Sequence, residues 1–211
     1  MLELGLKFTA AYLLGSIVGS LVLGGLRGID IRTMGSGNAG GTNALRTQGK
    51  VFALWVMVID VGKGVLAVMV LPEHGFGPAL ADPVVSGELI RYAVAFGAIL
   101  GHVYPLWFDF KGGKGGATAA GVICVLAPGA GIFVIALWLG VVALTGFVAL
   151  ATMTAALGAV AYLGVTGLPQ QSGLFVLAVL TAGLLIYTHR GNIRRLVDGS
   201  EHRMGKLWRG P

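Results

Sequence analysis

Seven apolar runs, set off by polar stretches or by cuts at Pro128 and Thr145–Gly146, leave this chain few ways to fold. They cover about residues 4–26, 51–71, 89–107, 116–127, 128–144, 147–165 and 174–188. A membrane-spanning helix needs about 20 apolar residues, and somewhat fewer where the bilayer thins. Only 11% of the 211 residues are charged, against about 25% in a soluble domain. Too few polar side chains exist to cover a soluble globule. The expectation is an all-α integral membrane protein forming a single polytopic domain over residues 1–211. It would be a bundle of about seven transmembrane helices, with five or six spans as alternatives. Pro128 and the pair Thr145–Gly146 cut the longest apolar stretch. The first run is followed by further spans, so it reads as a retained helix rather than a leader.

The cations set the orientation. With seven spans, twelve of the fifteen Lys and Arg residues fall in loops 27–50 and 108–115 and in the tail from His189. The opposite side holds Lys7 and Arg91, with Glu3, Glu73, Asp82 and Glu88. The positive-inside rule then puts the N-terminus outside and the C-terminus in the cytoplasm. The net charge of +6 follows from topology, and no nucleic-acid partner is expected. In the tail, Lys206, Trp208 and Arg209 suit headgroup anchoring. The single cysteine, Cys124, lies in an apolar run, which excludes a disulfide framework and argues against a thiol nucleophile. His74, His102, His189 and His202 are scattered, so neither a metal site nor a cofactor is expected. No internal repeat supports an inverted-repeat transporter.

Three polar segments fall on the expected cytoplasmic face. The first is "GSGNAGGTNALRTQGK", residues 35–50. Gly35, Gly37, Gly40 and Gly41 let the backbone approach a ligand, and successive N–H groups suit an anion nest. Ser36, Asn38, Thr42 and Asn43 supply short donors, and Arg46 suits bidentate phosphate binding. The pattern G-x-G-x-x-G in "GSGNAG", with Asp60 twenty residues on, imitates a dinucleotide fingerprint. The flanking runs are span-length helices, so that reading fails.

The second segment, "GHVYPLWFDFKGGKGGATAAG", puts Lys111 and Lys114 among Gly112, Gly113 and Gly115, before a helix starting near Ala117. A helix N-terminus binds anions, and here Lys114 adds a charge and Thr118 a hydroxyl. It is not a Walker A loop, because Gly115 follows the lysine where Ser or Thr is needed. The third segment is "HRGNIRRLVDGSEHR", residues 189–203. His189 and Asn192 share a face if the last helix continues, and His189 is either a general base or an anion donor. Arg194 and Arg195 suit lipid headgroups, and Glu201 suits a partner arginine. Deeper in the second span, Asp60 and Lys63 lie roughly 14 Å from its cytoplasmic end at ~1.5 Å per residue. They read either as a structural ion pair or as the floor of a polar cavity.

In order between apolar spans, "GSGNAGGTNALR", "GHVYPLWFDFKGGKGGAT" and "HRGNIRRLVDGSE" resemble the bacterial acyl-phosphate:glycerol-3-phosphate acyltransferase family. The resemblance covers essentially the whole chain. Ala39, Gly41, Gly116 and Ser200 depart from the usual family residues without removing a reactive group. The resemblance implies an enzyme of the bacterial inner membrane, acting early in phospholipid synthesis. The 1-hydroxyl of glycerol 3-phosphate would attack an acyl phosphate, giving lysophosphatidic acid and inorganic phosphate. It assigns activity to Ser36, Arg46, His189 and Asn192 and phosphate binding to loop 112–115, and makes Glu201 structural. We add Lys114 to the catalytic set. Gly37, Asn38, Gly40, Thr42, Asn43, Lys63, Gly112, Gly113, Gly115 and Thr118 form the expected substrate-binding set, with Asp60 structural. In this scheme Lys114, the loop N–H groups and Thr118 hold the acyl phosphate. Arg46, Asn43 and Lys63 hold glycerol 3-phosphate, and no protein partner is required. An anionic-metabolite transporter, or a transferase using acyl-CoA or acyl carrier protein, is the alternative.

Overall fold

A computed structural model describes residues 1–75 and 84–204. Asp82, Lys206, Trp208 and Arg209 lie outside the described residues. All regular structure among the described residues is helical. It comprises α1 (Leu2–Gly15), α2 (Gly19–Gly25), α3 (Gly41–Gln48), α4 (Lys50–Val70), α5 (Gly87–Val103), α6 (Gly116–Leu126), α7 (Pro128–Thr145), α8 (Val148–Thr166), α9 (Ser172–Thr188) and α10 (Arg190–Val197). Short 3-10 turns occupy Ile31–Thr33 and Leu106–Phe108. The chain forms two compact units, one from Met1 to Leu126 and one from Ala127 onward. The boundary falls where Pro128 opens α7 at a position that needs no N–H.

Each expected span corresponds to helix, but the count of seven is approximate. Four helices among the described residues are long and apolar enough to cross a membrane: α4, α5 with the turn to Phe108, α7 and α8. The expected span 4–26 is instead a bent pair, α1 and α2, meeting at 51°. The last span is also bent, with α9 and α10 at 58°, and α6 has only 11 residues. The break at Ser16–Val18 is invisible in hydropathy because its residues remain apolar or small. It is sustained by partners from α4, described below.

In the first unit α1 packs on α5 and α4 on α6. Small residues make these approaches possible, as in membrane helix pairs generally. A Cβ at Gly101 would overlap the carbonyl of Tyr12, and one at Gly64 would meet the carbonyl of Thr118 at 2.5 Å. Ala11, Val94 and Ala98 are fully buried at the α1–α5 seam. A second cluster of Val18, Ile31, Ala39, Ala44, Phe52 and Val56 seats the first glycine-rich loop on α2 and α4. In the second unit α8 packs between α7 and α9. The α7–α8 turn uses Gly146 at φ 75°, a left-handed helix end that glycine adopts without strain.

Candidate active site

The first glycine-rich loop is organised by one side chain. Asn43, in the first turn of α3, is 1% exposed. Its Nδ2 donates to the carbonyls of Ile31 (3.2 Å) and Met34 (3.0 Å), and its Oδ1 accepts from the N–H of Ser36 (2.9 Å). Asn43, expected as a substrate ligand, holds the loop, as a buried amide must satisfy its donors locally. It thereby fixes Ser36, which is exposed along with Gly37 and Arg46. Asn38 and Gly40, half-buried, sit against each other, with Asn38 Nδ2 over the Gly40 Cα. Thr42 is half-buried in the first turn of α3. Ser20 ties the loop to α2 through its hydroxyl, 2.7 Å from the Ala39 carbonyl.

The second loop folds back on the end of α5. Asp109 and Phe110, both at φ 57°, take the left-handed conformation that costs a residue with a Cβ about 1–2 kcal/mol. That reversal lets the N–H of Gly112 reach the Val103 carbonyl and that of Gly113 reach the His102 carbonyl, each at 3.1 Å. These two N–H groups were expected to bind phosphate; they are spent on the loop itself. The chain beyond them runs through Lys114 into the opening turn of α6. That turn starts after Gly115 at φ 89°, and its first N–H groups have no intrahelical acceptor. Thr118, expected to offer its hydroxyl, is fully buried, and its Oγ1 has no hydrogen-bond partner. It packs against Gly64 of α4.

The two loops are joined. Arg32 donates from Nη1 to the carbonyls of Phe108 (2.9 Å) and Lys111 (3.3 Å). Asp30 holds the same guanidinium through Nε (3.0 Å) and Nη2 (2.8 Å). The hydrogen bonds from Arg32 hold the Asp30 carboxyl below the usual carboxylate range. Sequence reasoning passed over this pair, because Arg32 looked like one more positive-inside cation. The two-residue spacing of Asp30 and Arg32 was the available signal.

Asp60 and Lys63 do form an ion pair, with Nζ 3.0 Å from Oδ1 and both residues at most 3% exposed. Lys63 Nζ also contacts the Ile17 carbonyl (2.9 Å) and His102 Nδ1 (2.8 Å). The Asp60 Oδ1 accepts from the Gly19 N–H (3.0 Å). Ile17 lies in the α1–α2 break and Gly19 opens α2, so the pair satisfies backbone groups that the break strands. An ammonium has three donors, and three acceptors already surround it. Lys63, expected as a substrate ligand, is here engaged by Asp60, the Ile17 carbonyl and His102. His102, passed over as a lone histidine in an apolar run, is the third member of the cluster.

In the second unit the helix does not continue through His189 as the sharing of a face with Asn192 required. α9 ends there, and the strongly basic α10 sets off in a new direction, bent by 58°. His189 is the pivot, 5% exposed, with its N–H on the carbonyls of Leu185 and Ile186. Its Nδ1 lies 2.7 Å from the Leu185 carbonyl. A carbonyl only accepts, so Nδ1 carries a proton, and in the neutral ring the basic lone pair is on Nε2. Asn192, 6% exposed, donates from Nδ2 to Glu201 Oε1 (2.8 Å). Glu201 Oε2 accepts from Arg195 Nε (2.8 Å).

Among the described residues no group of three or more His, Cys, Asp or Glu residues is placed to hold a metal ion. A family model described as glycerol-3-phosphate acyltransferase matches residues 6–199. A glycerol-3-phosphate acyltransferase of Aquifex aeolicus is 38% identical over 193 residues, covering 92% of this chain and 95% of that one. One from Rhodospirillum rubrum is 40% identical over 210 residues, covering 97% and 92%. The crystal structure of PlsY (YgiH), an integral membrane glycerol 3-phosphate acyltransferase, superposes in its glycerol 3-phosphate form with a TM-score of 0.85. That match has 37% identity and covers 97% of this chain and 96% of the other. The lysophosphatidic acid form gives a TM-score of 0.83 at 36% identity, with the same coverage. An all-helical, multi-pass chain with these matched residues belongs to the glycerol-3-phosphate acyltransferase family and is a membrane acyltransferase.

Proposed function

We propose that the chain transfers a fatty acyl group from acyl phosphate to the 1-hydroxyl of glycerol 3-phosphate. The products are lysophosphatidic acid and inorganic phosphate. The observation that carries this reading is the pairing, by Arg32, of two glycine-rich loops that each lead to a cation. One loop presents Lys114 at the opening of α6 and the other presents Ser36 and Arg46. Two loops suit two phosphate-bearing substrates, and an acyl phosphate supplies the second. The names of the relatives and the two ligand forms of the PlsY structure agree with the acceptor and the product. The loops face the cytoplasm of the bacterial inner membrane, with the N-terminus outside, on the strength of the cation distribution.

The acyl phosphate is already activated, so no acyl-enzyme is needed. The acceptor oxygen forms a bond to the carbonyl carbon, the carbon–oxygen bond to phosphate breaks, and phosphate leaves with the electron pair. Positioning and charge stabilisation supply the rate. Lys114 and the α6 opening, with Gly115 giving the turn, hold one phosphate. Arg46 holds the other, with Gly37, Asn38, Gly40 and Thr42 shaping its loop. Ser36 orients the carbonyl or the hydroxyl. His189 takes the hydroxyl proton on Nε2, or holds a phosphate from that nitrogen while the substrate's own phosphate takes the proton. Asn192, braced by Glu201, orients reacting groups.

Kinetics of Arg46→Ala and Lys114→Ala test the division of labour. The expected result is a KM increase for glycerol 3-phosphate in the first and for acyl phosphate in the second. Each change should be about tenfold or more for a lost charged contact to phosphate. Unchanged kinetics in both variants would refute the two-loop reading.

A further inference from the structure

We propose that His102 is a positioning residue that holds the Lys114 loop in its binding geometry; the proposal rests on the reading of that loop as a phosphate subsite. Glycine stands on both sides of Lys114, so the loop has little side-chain packing of its own. Beside the Arg32 contacts at Phe108 and Lys111, α5 supports it from below. The Gly113 N–H donates to the His102 carbonyl at 3.1 Å. A Cβ at Gly113 would overlap the His102 ring at Nε2. One residue therefore fixes Gly113 twice, by its main chain and by its ring, and Lys114 is the next residue along.

The ring is itself pinned. His102 is 2% exposed. Lys63 Nζ lies 2.8 Å from Nδ1, and the charged ammonium only donates, so Nδ1 accepts and the neutral ring carries its proton on Nε2. Asp60 Oδ1, 3.3 Å from Nδ1, is then a neighbour of the ring and the partner of Lys63. Lys63 is anchored in turn to Asp60 and to the Ile17 carbonyl. A line of contacts thus runs from the break in the first span to the loop. Burying charged groups is expensive, and well-packed apolar residues are often no less stable in their place. A histidine held by an ion pair gives the loop a support of fixed direction, which a leucine at position 102 would not.

The test compares His102→Asn with Lys114→Ala in purified protein, using glycerol 3-phosphate and palmitoyl phosphate. The asparagine amide oxygen retains an acceptor for Lys63 but leaves nothing beneath Gly113. The expected result is a KM rise of about tenfold for the substrate whose KM Lys114→Ala also raises, as misplacement of a binding group produces. The KM for the other substrate and the thermal midpoint stay near the parent values. Equal KM changes for both substrates, or none, would overturn the proposal. Gly113→Ala probes the same contact from the loop side. Combined with His102→Asn it should do less harm than the two effects multiplied, because the smaller side chain relieves the overlap. Strictly multiplicative effects would count against direct contact. If Lys114→Ala leaves both KM values unchanged, the phosphate subsite itself is wrong. If Lys114→Ala impairs and His102→Asn is silent, only the role of His102 fails.

Discussion

Arg32 reaches from the first loop to the carbonyl of Phe108, 2.9 Å away, across 76 positions of sequence. Asp30 grips the other edge of the same guanidinium. This contact couples the loop bearing Ser36 and Arg46 to the loop bearing Lys114. Arg32→Ala is expected to lower kcat/KM by about tenfold or more, since sub-ångström misplacement of binding groups is costly. Arg32→Lys should restore little, because an ammonium does not reproduce the planar fork. Steady-state kinetics with both substrates check this, and full rescue by lysine would contradict it.

The Asp30–Arg32 pair also has a pH signature. Arg32 keeps the Asp30 carboxyl below its ordinary value. The pair's contribution is therefore fully present above the unfolded value near 4 and is lost as pH falls through the folded one. Between pH 5 and 8 the Asp30–Arg32 pair should not titrate, and the loss that depends on Asp30 should appear only below that window. Asp30→Asn should resemble the acid form at neutral pH. A pH–rate profile of parent and variant decides the matter.

Breaking the buried pair on α4 should damage folding before it damages chemistry. Lys63→Met leaves Asp60 charged and strands the Ile17 carbonyl at the α1–α2 break. A cost of about 3–5 kcal/mol is expected for one lost partner. Thermal unfolding in detergent measures it. A KM effect confined to glycerol 3-phosphate, with the midpoint unmoved, would instead restore Lys63 as a substrate ligand.

Glu201 should act through Asn192. Glu201→Ala removes the acceptors of Asn192 Nδ2 and Arg195 Nε, at about 1–3 kcal/mol for a charge-assisted bond. Glu201→Gln keeps an oxygen for Asn192 and should retain more turnover than the alanine variant. Equal turnover in the two would show that Asn192 does not depend on this support.

His189→Gln separates the two roles left to that residue. Glutamine still donates a hydrogen bond to phosphate but is no base. Near-parent turnover means that the substrate's phosphate takes the proton. A loss of about 10²–10⁴-fold is the signature of a general base.

The apolar runs made the helices legible, since a bilayer leaves few alternatives to helix for a long apolar segment. The break at Ser16–Val18 was not legible, because it depends on Asp60 and Lys63 from another helix. The end of the last apolar run at residue 188 was legible, but the bend between α9 and the basic α10 was not. In the site, Ser36, Arg46 and Lys114 stood out as donors among glycines. The supports did not stand out. Asn43 looked like a ligand because an amide in a glycine loop has the same appearance whether it binds substrate or backbone. His102 looked inert because its partners lie on α4 and in the loop that follows it.

The most direct measurement supplies purified protein with glycerol 3-phosphate and either palmitoyl phosphate or palmitoyl-CoA, and follows phosphate and lysophosphatidic acid together. The account predicts product from the acyl phosphate alone, with one phosphate released per lysophosphatidic acid formed. Product from the thioester without added acyl phosphate would contradict it.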